Sequence, residues 1–97
     1  MKMINVFTSK ELAMVTAFYE IYSAIILKEK GVEKGDIEYN TILKQSADEV
    51  VKVMYNFKLV HYPNEEMNIE DLTDFETEFL ISKFGMDKVA DIVEEVL

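Results

Sequence analysis

His61, in the stretch VHYPN, is the only histidine of the chain and the only side chain whose unperturbed titration falls near neutral pH. As a general base it would need a nucleophile and an orienting group. The four serines, Ser9, Ser23, Ser46 and Ser82, all fall in helix or helix-cap contexts, and no Gly-x-Ser-x-Gly elbow is present. His61 is therefore expected as a solvated loop residue. There is no cysteine, which excludes thiolate nucleophiles, thiolate metal sites and disulfides. The glycine pair Gly31 and Gly35 in GVEKG lacks the Gly-Lys-Ser/Thr ending and the preceding strand of a phosphate loop, so it reads as a turn.

Two further chemistries depend on carboxylates. The run PNEEMNIEDLTDFETE places Asn64, Glu66, Asn68 and Glu70 at the alternate spacing of a calcium loop. The match fails where it is most specific, because the sixth position is Ile69 instead of glycine and the twelfth is Phe75 instead of glutamate. Paired carboxylates for glycoside cleavage need a sugar cleft, for which a 97-residue helical chain has little room. The expectation is a non-enzymatic protein with no catalytic residue, no metal site and no cofactor.

What remains is charge. The cations are ten lysines with no arginine, against nineteen acids, for a net charge of −9. Arginine's planar fork is the usual tool for phosphates and guanine edges, so direct nucleic-acid binding is not expected. From Met1 to His61 eight lysines balance eight acids; from Tyr62 to Leu97 there are two lysines and eleven acids. The whole net charge thus belongs to the last third. Glu65, Glu66, Glu70, Asp71, Asp74 and Glu78, with Glu76 in the same run, crowd fourteen positions. Such a run usually serves solubility. However, Glu70 with Asp74, Asp74 with Glu78 and Asp91 with Glu95 repel at i, i+4 spacing, which a basic partner would relieve. The first functional expectation is an inhibitor, adaptor or nucleic-acid mimic that docks Glu65, Glu66, Glu70, Asp71, Asp74 and Glu78 on the basic surface of a protein partner.

These residues must be positioned by helices, and an all-α fold, a single domain over 1–97 built as a bundle of about four helices, is expected. The helices are placed near 9–30, 37–58, 69–84 and 88–97. Thr8 and Glu11 form a capping box with Phe7 as a staple toward Leu12, and Gly31 ends the first helix. Asp36 is the expected cap of the second, where Ile42, Leu43, Ala47, Val50, Val51, Met54 and Phe57 recur at helical steps. A further capping box, Ser46 to Glu49, allows a break near Gln45. Pro63 disfavours helix at Tyr62. Asn68 or Thr73 caps the third helix, whose face is Leu72, Phe75, Phe79, Leu80 and Phe84. Gly85 ends it, and Asp87 is the expected cap of the fourth, with Val89, Ile92, Val93, Val96 and Leu97 on its face. Residues 2–7, KMINVF, suit either a short strand or an extended arm.

The first helix is unusual, since LAMVTAFYEIYSAIIL has Glu20 as its only charged side chain. It is shorter than the roughly 20 residues of a spanning helix, and a central glutamate would cost about 2 to 3 kcal/mol in a bilayer, so no membrane role is expected. MKMINVFTSKEL lacks the pattern of a secretory signal, and a cytoplasmic location is compatible with the composition. On a helical wheel Thr16, Glu20 and Ser23 share a narrow wedge with Leu12 and Leu27, beside a strip of Ala13, Ala17 and Ala24. Three readings follow: a central helix wrapped by the others with Glu20 wet; an open apolar edge at Tyr19, Tyr22 and Ile26 for a second copy or a client; or a buried, protonated Glu20. The open edge carries the second functional expectation, an assembly chaperone of the phage-morphogenesis or secretion type, with a homo-oligomer as its self-associating counterpart.

Overall fold

The computed structural model describes residues 5–96, and for Val96 the backbone only. It is an all-α bundle of four helices, α1 (Ser9–Lys30), α2 (Tyr39–His61), α3 (Ile69–Phe84) and α4 (Met86–Val96). Of the segment left open as strand or arm, residues 2–4 lie outside the described residues, while Asn5 and Val6 form a short 3₁₀ turn. Leu97 likewise lies outside them.

The start of α1 follows its sequence closely. The Glu11 amide donates to Thr8 Oγ1 at 3.2 Å and the Thr8 amide donates to Glu11 Oε1 at 2.8 Å, a complete capping box that satisfies otherwise orphaned donors. Gly31 closes the helix at φ 65°, a left-handed conformation that a side chain would strain. Gly85 serves a tighter purpose as the single residue between α3 and α4, and its φ of 92° turns the chain there.

Two capping expectations, Asp36 and Asp87, are corrected, and of the two caps offered for α3 the structure uses Asn68. Asp36 does not cap α2; its Oδ2 accepts from the Glu33 amide at 2.8 Å inside the preceding turn, and Glu38 occupies the cap position with no side-chain bond. Asn68, rather than Thr73, caps α3, accepting from the amides of Glu70 at 2.9 Å and Asp71 at 3.2 Å. Asp87 lies inside the first turn of α4, which starts one residue earlier at Met86. Nor does α2 break near Gln45: it is continuous, with Ser46 buried in its interior where a restart cap would need to be exposed. Tertiary burial outweighs the local capping preference there.

Helix α1 packs against all three others, and α3 also packs against α4. Its buried face is Val15, Phe18, Tyr22 and Ile25, each at most 4% exposed, and Glu20 is exposed to water. The central-helix reading therefore describes the fold, with one correction: Ser23 is not on the wet wedge but buried, its Oγ donating to the Glu20 carbonyl at 3.3 Å. An aromatic chain runs through the core. Phe18 meets Phe79 edge-on at 5.7 Å, Tyr22 meets Phe84 at 5.4 Å, and Phe75 meets Phe79 at 6.2 Å. Phe18 and Tyr22, the two that are fully buried, contribute roughly 2 to 3 kcal/mol each of transfer free energy, and the half-buried Phe75, Phe79 and Phe84 contribute less. No helix among the described residues is long and apolar enough to cross a membrane.

Candidate functional site

Helices α2 and α3 both pack on α1 without packing closely along each other's backbones. The seam between them is bridged near one end by Phe57 and Phe75, whose rings stack at 4.2 Å with planes 23° apart. Beside that stack is a depression of about 420 Å³ whose floor is Phe57, Phe75 and Tyr62 and whose acidic edge is Asp71, Asp74 and Glu78. Local sequence explains the edge: positions 71, 74 and 78 are spaced i, i+3 and i+7, which puts all three carboxylates on one face of α3. Asn68, by capping α3, fixes where that face begins.

The remaining geometry holds the depression open. Pro63 ends α2 at Tyr62, which takes φ −139° and swings its hydroxyl to donate to Asp71 Oδ2. That bond, formed by the protonated phenol, pushes the Tyr62 pKa up. His61 is the last residue of α2, exposed, its ring 4.7 Å from that of Phe57. It lies in the helix rather than in the expected loop, and among the described residues it makes no hydrogen bond to a hydroxyl or carboxylate. A second shallow depression, lined by Val53, Phe57, Val60 and Phe75, adjoins the first along α2. Val60 is 73% exposed, so the α2 side of the seam offers apolar surface and the α3 side offers carboxylates.

The residues singled out from sequence are dispersed unevenly. Glu65, Glu66, Glu70, Asp71, Asp74 and Glu78 are all exposed. Three of them, Asp71, Asp74 and Glu78, converge on the depression, whereas Glu65, Glu66 and Glu70 do not line it. The expected open edge on α1 is not open at its centre: Tyr22 is 3% exposed, covered by Phe79 and Phe84, while Tyr19 and Ile26 are half-buried. Burial pushes the Tyr19 hydroxyl up in pKa, and the nearby Tyr39 adds to the effect. Among the described residues no group of three or more His, Asp or Glu side chains is arranged to hold a metal ion.

Sequence reasoning missed two buried carboxylates. Glu11, beyond its capping role, is 2% exposed and ties three segments together. Lys58 Nζ donates to its Oε1 at 2.6 Å and its Oε2 at 2.8 Å, and the Met67 amide donates to Oε2 at 2.6 Å. Burial raises the Glu11 pKa, but the bonds from Lys58, Met67 and Thr8 outweigh it and hold the carboxyl below its ordinary range. No local pattern links positions 11, 58 and 67. Glu76, counted with the acidic run, is 8% exposed, its Oε2 has no hydrogen-bond partner, and burial pushes its pKa up to about 8. This one had a signal: Glu76 stands four residues from both Leu72 and Leu80, on their buried stripe. No protein-family model, curated protein or solved structure was found to match this chain, so its function is argued from the seam itself.

Proposed function

We propose that the chain is a non-enzymatic binding protein that takes a basic, amphipathic segment of a protein partner on the α2–α3 face. The observation that supports this best is the juxtaposition of Asp71, Asp74 and Glu78 with the stacked Phe57 and Phe75. A lysine or arginine side chain entering there meets three carboxylates and aromatic faces together, a combination that suits a cation and its aliphatic stem. The partner's apolar residues have Val53, Val60 and Phe75 beside them. Binding of this kind would let the protein act as inhibitor or adaptor, or as a mimic of nucleic-acid phosphates, according to what the partner's basic segment normally does.

The test is a titration calorimetry series with a basic amphipathic helical peptide, comparing the protein with the variant Asp71→Lys/Asp74→Lys/Glu78→Lys. The protein is expected to bind with micromolar affinity that weakens as salt rises, and the variant to lose about tenfold or more. Equal affinity for both proteins defeats the proposal. The chaperone reading on the Tyr19, Tyr22 and Ile26 edge of α1 draws less support, because Tyr22 at its centre is covered within the chain and Tyr19 and Ile26 are half-buried.

A further inference from the structure

At the other end of the α2–α3 seam lies another depression, of about 390 Å³, floored by Tyr22, Ile26, Ile42 and Phe84. Ser46 lines it from α2. That residue is 2% exposed, and its Oγ has no hydrogen-bond partner. A hydroxyl in a helix interior ordinarily turns back to the carbonyl four residues earlier, as Thr16 does to Leu12 at 2.7 Å. Ser46 makes no such bond, and a buried hydroxyl left unpaired costs about 1 to 3 kcal/mol, so a ligand atom that completes it gains accordingly.

The charges here differ from those at the acidic end. Lys83 Nζ is held 5.6 Å from the centre of the Tyr22 ring and 6.0 Å from that of Phe84, with Lys30 also on the rim. Of the two carboxylates present, Glu29 is already engaged by Lys88, and Glu49 has no ion pair among the described residues. Two ammonium groups thus face one unpaired carboxylate, in a chain whose net charge is −9. Along α3 the step from Phe75 to Lys83, and along α2 that from Phe57 to Ser46, puts the two ends roughly 12 to 16 Å apart at about 1.5 Å per residue. A helix of about three turns covers that span.

We infer that the seam reads the direction of its occupant: the partner segment lies with its basic end over Asp71, Asp74 and Glu78 and with a carboxylate-bearing end at Lys83 and Ser46. This rests on the proposed function and adds polarity to it. Two helical peptides of about 16 residues separate the two ideas. Both have leucines along one face and lysines in the last turn; one has glutamates in its first turn and the other has glutamines there. General attraction to an acidic protein ranks the glutamine peptide first, whereas a polar seam ranks the glutamate peptide first.

At 150 mM salt the glutamate peptide is expected to bind about three- to tenfold tighter, and Lys83→Gln to abolish that preference. Equal binding of the two peptides, or tighter binding of the glutamine peptide, overturns the polarity and leaves the basic-segment reading standing. If neither peptide binds, that reading falls and the polarity with it. A nitroxide spin label on the glutamate end, broadening the resonances of Lys83 more strongly than those of Asp74, is the corroborating observation expected.

Discussion

Glu11 and Glu76 are the same side chain, both withdrawn from water, and their surroundings treat them in opposite ways. Glu11 receives donors from Thr8, Lys58 and Met67 and holds its charge at a pKa below the ordinary range. Glu76 has an oxygen with no donor and a pKa pushed up to about 8. Burial by itself therefore says little about a carboxylate's worth to the fold. What decides is whether the chain delivers enough donors to replace the water removed.

The comparison breaks most visibly at Glu11. Glu11→Ala should cost about 3 to 5 kcal/mol in urea denaturation, because it strands the buried Lys58 ammonium and frees the Met67 amide. That is a large share of the roughly 5 to 15 kcal/mol that hold a domain of this size together. The double change Glu11→Gln/Lys58→Met should recover about half of it, since glutamine keeps an acceptor for one of the Thr8 and Met67 amides and no charge is left buried. If the double variant is as unstable as Glu11→Ala, the donors and not the charge were the main contribution.

Glu76→Leu should act in the other direction. The folded chain keeps the Glu76 proton up to about pH 8 while the unfolded chain releases it near its model value of 4.5, so stability falls as pH rises through that window. Glu11, with its lowered pKa, contributes stability that is present above its unfolded pKa and is lost as pH falls through its folded one. The variant should therefore gain about 3 kcal/mol more over the parent at pH 8 than at pH 5.5, read from urea midpoints at the two pH values. A gain independent of pH would mean that Glu76 binds its proton equally in the folded and unfolded chains, so that burial does not raise its pKa. The smallest effect is expected at Ser46→Ala, a gain of about 1 kcal/mol, because the change removes a buried hydroxyl that has no partner.

Much of the fold was legible in the sequence where the determinants are local. Thr8 with Glu11, Gly31, Pro63 and Gly85 each mark a helix end through the geometry of a few neighbouring residues, and the structure keeps all four marks. Asp36 misled because a carboxylate has equal use for the amide of its own turn, and the two choices look alike in one dimension. The seam was half legible. Spacing placed Asp71, Asp74 and Glu78 on one face of α3, but Phe57 and Phe75 are eighteen positions apart and meet only because both helices lean on α1. Glu76 and Ser46 were readable after all, each standing four residues from apolar neighbours on either side, in a stripe where a polar residue must be buried.

The central place of α1 has a consequence for the order of synthesis. It is made before every helix that covers it, and at roughly 5 to 20 residues per second the chain from Lys30 to Val96 takes about 3 to 13 s to follow. Its closing ties reach as far as Met67, so for most of that interval Phe18, Tyr22 and Ile25 have no lasting cover. Yield in a cell should then depend on holdases during translation far more than the folded molecule's modest exposure of apolar surface would suggest.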